Sequence, residues 1–555
     1  MFKEMILIAD PVKPFEFTPK GTPRRQATLE AYAEEIEAAY VSVKSSSQTH
    51  LLPPLKWDSE TSLEFVQKVV GKVLKSNVPD DGDLFQYGCD SLQATWIRNT
   101  ILHALRTSSS INTREIGHGF VYQHPSIKSL ANFLVDVARG SYERNSEDNT
   151  AAMLKLVERT SGGLPRETFA KPSSGESEVV LATGTTGTFG CYILASLLCS
   201  SRVSKVYAIV RKTSNDIKSR QKEAFVARRL DVSLLDSPKL VLLEGDTTAD
   251  NFGLNSEVYK ELQDTITSIF DNAWMVDFNV SLSTLKPFVW GTRKLVDLAL
   301  TSKVLPCFIF VSSAGVARNI PVGEESFLPD PKVAAGWGYA ESKWCAEALL
   351  QKVGEETPLK PIVVRCGQLS GARGKPDHGH GGFWKIDEWF PTLVKCSTKI
   401  GLLPDVPGKV SWIPIDVAAQ VVVELGFRRL DRSSTEFFNI AHSRPVPAMR
   451  IMKPLKDVLG LELVPYAQWF KTLEASIEAD AASEADQHVV ARLLEFFRSM
   501  QMGISERDSE AFGFPEIVTG KREKLLAGVF ELEGELGEKD IEAWIREWRL
   551  QGLLS

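Results

Sequence analysis

The chain has 555 residues, of which 43% are hydrophobic and 24% charged, and its formal net charge is -7. This length predicts several domains, because single hydrophobic cores stop growing well below it. The acidic balance excludes a general nucleic-acid binder, which would be basic. No apolar run approaches the ~20 residues of a membrane-spanning helix, and the 7 cysteines include no C-x-x-C pair. We therefore expect a multidomain cytoplasmic protein without a zinc framework, a disulfide scaffold, or a nucleic-acid or membrane partner.

Residues 1–45 do not have the pattern of a complete domain. A short apolar segment over 5–9 is followed by Pro-rich sequence and by one predicted helix over 27–40. Residues 45–54 have the Ser- and Pro-rich composition of a linker.

Residues 55–140 predict a small helical bundle, with one amphipathic helix over 63–74, a second after Asp90 and a third that ends near Val137. The segment Gly88-Cys89-Asp90-Ser91-Leu92 places Ser91 at the start of an apolar helix. The free N–H groups and the dipole of a helix N-terminus favour an attached phosphate. The alternative is that Asp90 or Ser91 only caps the helix.

The character of the chain changes after residues 141–176, whose polar, Gly- and Pro-containing composition predicts a linker. Buried strands are predicted over 178–183, 206–210, 240–243 and 308–311, and helical stretches separate them. This alternation predicts an α/β fold with a parallel sheet over about 177–370. The alternation weakens beyond it, and residues 371–555 are expected to be mostly helical.

The turn after the first of these strands is rich in glycine and has the sequence Gly184-Thr185-Thr186-Gly187-Thr188-Phe189-Gly190. Glycines allow a tight turn and a close approach of the backbone to a pyrophosphate. Arg211 and Lys212 follow the second strand, where an acidic residue would bind the ribose hydroxyls of NAD. With Arg220 they favour a 2′-phosphate and therefore NADP(H), whereas the alternative for Arg211 is a solvated strand end.

The spacing of these glycines resembles the extended short-chain dehydrogenase/reductase family, whose pattern adds a Ser and a Tyr-x-x-x-Lys. Tyr339 and Lys343 match it on one face of a predicted helix. Ser313 ends the fourth predicted strand, and its S-x-G-V context favours it over Ser312. The Tyr339 and Ser313 hydroxyls would donate to an oxyanion, and Lys343 would lower the pKa of Tyr339 and hold the nicotinamide ribose.

Ser91 also lies in a context that resembles acyl and peptidyl carrier domains, over about residues 58–138. The resemblance rests on Asp83-Leu84-Phe85, on the Asp-Ser-Leu segment and on Tyr122-Gln-His-Pro-Ser-Ile-Lys-Ser-Leu130. It implies that Ser91 carries 4′-phosphopantetheine, which a phosphopantetheinyl transferase attaches.

Residues 178–445 resemble the thioester reductase domains that end the fungal adenylate-forming reductases, which are similar to non-ribosomal peptide synthetases and include the aminoadipate- and aryl-acid-reductase types. These domains are also similar to the release domain of carboxylic acid reductases. The motifs are Gly245-Asp246, Asn272-Ala273-Trp274, Gly291-Thr-Arg293, Gly338-Tyr-Ala-Glu-Ser-Lys-Trp344 and Val364-Arg-Cys-Gly-Gln-Leu-Ser-Gly371. The resemblance implies that Asp246 lies near the adenine and that Asn272 and Ala273 line the cofactor. Asp271 departs from it, because a His is expected before Asn-Ala-Trp.

The segment Phe17-Thr-Pro-Lys20-Gly-Thr22 resembles the last motif of an adenylation domain, in which the Lys contacts the acyl-adenylate. We expect residues 1–45 to be the remnant of such a domain, either through a truncated gene model or as a true remnant. Lys20 is then expected to be idle.

Together these resemblances imply that NADPH reduces an acyl thioester on the pantetheine arm of Ser91 and releases an aldehyde. An adenylation domain, missing here or acting in trans, would load the acyl group. The alternatives are a stand-alone NADP-dependent oxidoreductase of a soluble carbonyl or alcohol, and a non-catalytic carrier fragment. No metal is expected, because His378 and His380 lack an evident third ligand.

Overall fold

A computed structural model gives the structure of most of the chain beyond residue 50. It describes residues 13, 32–33, 35, 51–74, 77–108, 116, 119–140, 149–165, 171–172, 177–213, 216–374, 381–428, 433–479, 493–494, 496–498, 500, 510–525 and 534–554. Lys20, His378, His380 and most of the predicted 27–40 helix lie outside these residues. The chain divides into two units, residues 1–145 with 477–492 and residues 146–476 with 493–555.

The first unit contains a small helical bundle. Its helices are α1 (Ser59–Val73), α2 (Ser91–Ser108), α3 (Phe120–Gln123) and α4 (Ile127–Arg139). Helix α1 begins before the predicted position because Asp58 caps it, accepting a hydrogen bond of 3.0 Å from the Thr61 N–H. Apolar side chains from the helices form one core, in which Val66, Ile97 and Leu130 are fully buried.

Helix α2 begins at Ser91, and its cap is supplied by Asp90. The Asp90 carboxylate accepts from the Gln93 N–H at 2.8 Å, while the Gln93 side chain accepts from the Asp90 N–H at 2.9 Å. Gly88, with φ +92°, makes the turn that leads into the helix. The Phe85 ring stacks on Tyr122 with centroids 4.8 Å apart, so the two motifs that flank the Asp-Ser-Leu segment are in contact.

The second unit is built on a parallel sheet, as predicted. Its strands are β1 (Glu178–Thr183), β2 (Val203–Val210), β3 (Leu240–Glu244), β4 (Ser268–Asp271), β5 (Cys307–Ser313), β6 (Ile362–Cys366) and β7 (Glu436–Ile440). The strand order is β7-β6-β5-β4-β1-β2-β3, and every neighbouring pair is parallel. This is the doubly wound order of dinucleotide-binding folds.

The helices along this part of the chain are α5 (Thr150–Ser161), α6 (Thr188–Cys199), α7 (Ile217–Ala227), α8 (Ser256–Thr265), α9 (Leu282–Thr301), α10 (Gly338–Glu356), α11 (Trp389–Ile400), α12 (Ile415–Phe427), α13 (Met449–Leu459), α14 (Tyr466–Ala479), α15 (Gly520–Leu525) and α16 (Glu538–Leu550). Helices α6 and α12 pack on one face of the sheet, and α9 and α10 pack on the other. Alternate residues of β5 point to opposite faces. Ile309 joins the core formed with α6 and α12, and Phe308 joins the core formed with α9 and α10.

The described residues also contain five short strand pairs outside the main sheet. They are Lys171–Pro172 with Val304–Leu305, Leu369–Ser370 with Ile413–Pro414, Leu402–Asp405 with Glu462–Pro465, Lys409–Val410 with Val446–Pro447, and Glu516–Ile517 with Val322–Gly323. Within the part of the chain that the structure covers, no helix combines the length and the hydropathy needed to cross a bilayer.

The fold differs from the sequence prediction in three places. Strands β4 and β6 lie within the predicted α/β region but were not among the four predicted strands. Strand β7 and helix α12 belong to the sheet and its cover, so the dinucleotide fold is not confined to 177–370. Helix α5 lies inside the predicted 141–176 linker, where its buried Met153 and Leu156 pack into a core with Trp344 of α10. The sequence around α5 is polar, which is typical of a linker, and only three or four residues of the helix form its apolar face. The helix was therefore not predicted.

Candidate functional site

Three neighbouring strands, β1, β4 and β5, bring the candidate site residues to one edge of the sheet. The glycine turn follows β1, Asn272 and Ala273 follow β4, and Ser313 ends β5. Because the strands are parallel and adjacent, their carboxyl ends meet at the same edge, where such folds bind ligands.

Two glycines of the turn, Gly184 and Gly190, are packed so closely that a side chain would not fit at either position. Gly184 has φ +70°, and a Cβ on it would lie 2.8 Å from the Ala273 Cα. A Cβ on Gly190 would lie 2.0 Å from the Gly184 carbonyl oxygen. Helix α6 begins here without a side-chain cap, so its first N–H groups are left for an anion such as a pyrophosphate.

The loop after β4 is bound to this turn through the Thr183 hydroxyl. Thr183 Oγ1 accepts from the N–H groups of Asn272 and Ala273, each at 3.0 Å. The Asn272 side-chain amide donates to the Gly184 carbonyl at 3.5 Å. The structure therefore brings Asn272 and Ala273 against the glycine turn, and their predicted place beside the cofactor stays a prediction.

The predicted cations lie at the end of the neighbouring strand β2. Arg211 and Lys212 are exposed, and Arg220 on α7 donates to the Arg211 carbonyl at 2.5 Å. Helix α7 is fixed to the glycine turn by Gln221, which exchanges two hydrogen bonds with Thr185, at 3.0 and 2.9 Å. The arginines are thus placed together beside the turn.

Asp246 follows β3, the strand next to β2. Its carboxylate accepts from the N–H of Thr248 at 2.9 Å and from the Thr248 hydroxyl at 2.8 Å. The hydrogen bonds fix the local turn at the same edge of the sheet as Arg211.

The Ser313 hydroxyl lies near the Tyr339 hydroxyl. Burial raises the pKa of Tyr339 well above its usual range, and the neighbouring Ser313 hydroxyl opposes that shift. The Gly315 N–H donates to Ser313 Oγ at 3.1 Å and so fixes the serine at the end of β5. Lys343, one turn after Tyr339 on α10, is buried and donates to the Val311 carbonyl at 2.6 Å.

Ser312 has a different environment. Its hydroxyl is buried and donates to Glu347 at 2.6 Å. Glu347 in turn forms a fully buried ion pair with Arg365, at 2.6 Å. These contacts give Ser312 a structural part and leave Ser313 as the serine beside Tyr339.

The sequence did not identify the aromatic wall, which we define as Phe278, Trp337 and Phe496. Phe278 stacks on Trp337 at 5.3 Å and on Phe496 at 5.0 Å, and its ring meets Tyr339 edge-on at 5.8 Å. Phe496 lies more than 150 residues after Tyr339 in the chain. The one member of the aromatic wall that the sequence places near Tyr339 is Trp337, which stands two residues before it.

Gly190→Ala is predicted to disrupt the glycine turn, because its Cβ would overlap the Gly184 carbonyl. We expect a lower unfolding midpoint and a loss of nicotinamide-cofactor binding of at least about tenfold, corresponding to ~1.4 kcal/mol. Gly187→Ala is the control, because its Cβ would lie 3.2 Å from the same oxygen and needs only a small adjustment. Fluorescence titration of each variant measures the affinity. Equal affinity of Gly190→Ala and the wild type would contradict this account of the turn.

Two family models match the chain. A NAD-binding family described as "Male sterility protein" matches residues 182–422. A family described as "AMP-binding enzyme C-terminal domain" matches residues 1–44. The first supports a nicotinamide cofactor at the edge of the sheet described above.

Curated relatives match the full chain. The adenylate-forming reductase Nps10 of Heterobasidion annosum is 40% identical over 100% of this chain and 51% of its own length. A carboxylic acid reductase of Neurospora crassa is 27% identical over 98% of this chain and 52% of its own length. The chain thus spans about half the length of these relatives.

Solved structures show the same fold at low identity. The terminal R domain of a myxalamid PKS-NRPS pathway has a TM-score of 0.61 at 22% identity, over 73% of this chain and 99% of its own. A thiolation-reductase di-domain from an archaeal non-ribosomal peptide synthetase has a TM-score of 0.57 at 16% identity, over 91% of this chain and 100% of its own. The solved structures show the fold. The curated relatives confirm the sequence resemblance, because the whole chain is related to about half of each of three adenylate-forming reductases.

Proposed function

We propose that this chain is a carrier–reductase pair that uses NADPH to reduce an acyl thioester on the pantetheine arm of Ser91 and releases an aldehyde. The observation that carries the proposal is that Ser313, at the end of β5, lies beside Tyr339 of α10, with the buried Lys343 one turn farther on and a closely packed glycine turn at the same sheet edge. The carrier-like bundle with Ser91 at a helix start supplies the thioester. The names of the curated relatives support the same reaction class.

The residues at the sheet edge fit the cofactor. The N–H groups of the glycine turn and of α6 would hold the pyrophosphate, and Arg211, Lys212 and Arg220 would hold the 2′-phosphate. Asp246 would lie near the adenine, and Asn272 with Ala273 would line the path toward Ser313. The bound cofactor supplies a hydride, so that thioester, NADPH and a proton give aldehyde, thiol and NADP⁺.

Tyr339 and Ser313 would act on the carbonyl oxygen of the thioester. When hydride adds to the carbonyl carbon, negative charge develops on that oxygen, and both hydroxyls can donate to it. The Lys343 ammonium stabilises this charge and favours the ionised form of Tyr339 against the effect of burial. The C–S bond then breaks, and the pantetheine thiolate takes up a proton.

The acyl group must be activated before it reaches Ser91. An adenylation domain is the proposed source, and the match of residues 1–44 to the C-terminal domain of AMP-binding enzymes supports a link to one. A phosphopantetheinyl transferase is the second proposed partner.

Tyr339→Phe is expected to lower turnover by about 10²–10³, because an oxyanion donor is lost, while NADPH still binds. Tyr339→Phe and Lys343→Ala are expected to be non-additive, because the residues act as one unit. The assay measures NADPH oxidation with an acyl-pantetheine and traps the aldehyde as a hydrazone. Tyr259→Phe on α8 is the matched control. A near-wild-type rate for Tyr339→Phe, or release of free acid without NADPH consumption, would refute the proposal.

Arg211→Ala is expected to weaken NADPH binding and to leave NADH binding unchanged, since only NADPH carries the 2′-phosphate. Each charge-assisted contact contributes ~1.5–3 kcal/mol, or roughly ten- to a hundredfold in affinity. Calorimetric titration of both cofactors measures it. Lys205→Ala is the control, because Lys205 lies on the same strand but pairs with Glu261. Equal affinity of the wild type for the two cofactors would exclude the assignment.

Ser91 is expected to gain one phosphopantetheine group when the chain is incubated with coenzyme A and a phosphopantetheinyl transferase. Intact mass spectrometry detects the gain, which should disappear in Ser91→Ala. Ser108→Ala, at the other end of α2, should be modified like the wild type. A gain that persists in Ser91→Ala, or none in the wild type, would show that Ser91 is not the attachment site.

A further inference from the structure

We propose that Asp271 is a positioning residue of the reductase site, which keeps the Lys343 ammonium charged and orients the loop that holds Asn272 and Ala273. The inference rests on the proposed function and deepens it, because it assigns a part to a residue that departs from the family pattern.

Asp271 is the last residue of β4 and is only 3% exposed. One carboxylate oxygen accepts from the Thr292 hydroxyl at 2.7 Å, and the other accepts from the Thr183 hydroxyl at 3.2 Å. Both of these donors are neutral. A buried carboxylate with neutral donors alone is costly unless a positive charge lies near it.

Lys343 supplies that charge, and the segments that enclose its ammonium are those that carry Asp271. The Nζ atom lies 3.8 Å from the centroid of Trp274, three residues after Asp271, and 4.5 Å from the centroid of Phe310. Phe310 is the register partner of Asp271 on β5. The ammonium therefore lies between the loop and the strand that flank Asp271.

Two other groups face Lys343, but neither supplies the negative charge that would stabilise its ammonium in place of Asp271. Glu347, one turn farther along α10, is already bound to Arg365 by hydrogen bonds of 2.6, 2.9 and 3.1 Å. The Cys366 thiol faces Lys343 as well, and burial raises its pKa to about 12, so that it is neutral at physiological pH. Asp271 is thus the carboxylate near Lys343 that is not paired with another cation, because its donors are the neutral hydroxyls of Thr183 and Thr292.

Burial acts on the two charges in opposite directions. It raises the pKa of Asp271 and lowers the pKa of Lys343, and each charge opposes the shift of the other. A Lys343 without Asp271 would therefore lose its proton at a lower pH.

The same carboxylate orients the cofactor loop. The Thr183 hydroxyl donates its hydrogen to Asp271. Its lone pairs therefore point toward the N–H groups of Asn272 and Ala273, and it accepts a hydrogen bond of 3.0 Å from each. The Asp271 carboxylate, which stabilises the charged form of Lys343, is therefore also linked through Thr183 to the loop that contacts the glycine turn.

The test is Asp271→Asn, which keeps the size and shape of the side chain and one of its two acceptor oxygens, and removes the charge. The Lys343 titration is followed by NMR of the full chain labelled with ¹³C-lysine, and Lys343→Arg assigns the signal. The midpoint is expected to fall by about 1–3 pH units, the range for loss of a nearby opposite charge. Glu510→Gln is the control, because Glu510 is a buried carboxylate that accepts from the Ser411 N–H elsewhere, at 2.9 Å. An unchanged midpoint in Asp271→Asn would overturn the proposal.

Turnover gives a second readout. Activity should fall as pH rises through the pKa of Lys343, and this limb should move to lower pH in Asp271→Asn. A rate lowered equally at every pH would indicate a merely structural role and overturn the proposal. If the wild type does not reduce an acyl thioester, the proposed function fails, while the NMR titration still decides the part of Asp271.

A reciprocal variant covers the case in which Asp271→Asn does not fold. In Lys343→Met, the midpoint of Asp271, followed through a ¹³C-aspartate label, should move to higher pH because the opposing charge is gone. No movement would overturn the coupling of the two residues.

Discussion

The adjacency of the parallel strands β1, β4 and β5 decides where the groups of the reductase site lie. Their register brings the glycine turn, the Asn272–Ala273 loop and Ser313 to neighbouring strand ends. The Thr183 hydroxyl then joins the first two. The third, Ser313, lies beside Tyr339 of α10. Sites at the carboxyl ends of such sheets acquire their chemistry from several strands at once.

Burial of charge is the second constraint. Glu347 and Arg365 are 0% and 1% exposed, and their pairing fixes α10 to β6 behind Ser312. Removing one partner of such a pair typically costs ~3–5 kcal/mol, because the other charge stays buried. Lys343 and Asp271 lie on the neighbouring turn and strand, in surroundings where a single charge has a large effect. The site therefore combines a rigid ion pair with a second pair of charges whose protonation can change.

The fold could be predicted where the sequence pattern was local. Strand β1 was placed at its observed bounds, because an apolar run ends at a glycine turn and an apolar helix follows. Strand β7 could not be predicted, since two helices separate it from the rest of the sheet and its pairing with β6 is long-range. Helix α5 was hidden by polar flanks, and its fold depends on packing against α10.

The site residues, like the strands and helices, could be predicted only where the sequence signal is local. The glycine turn and the Tyr339–Lys343 spacing are visible in the sequence, and the structure brings Ser313 to Tyr339. Phe496 could not be placed beside Tyr339, because no local signal connects a residue so far along the chain to the site. Asp271 was visible as a departure from the family pattern, but its contacts with Thr183 and Thr292 depend on side chains from two other elements. The assignments of catalytic and cofactor residues remain predictions.

The most direct measurement of the central claim is the fate of the cofactor hydride. A phosphopantetheinyl transferase loads the carrier at Ser91 from acyl-coenzyme A donors, both aliphatic and aromatic. The loaded chain is mixed with NADPH that carries deuterium at both positions of C4 of the nicotinamide. The account predicts that for a donor that the site accepts, the released aldehyde contains one deuterium, with one NADP⁺ formed for each aldehyde. Release of unlabelled aldehyde, or of acid without oxidation of the cofactor, would contradict it.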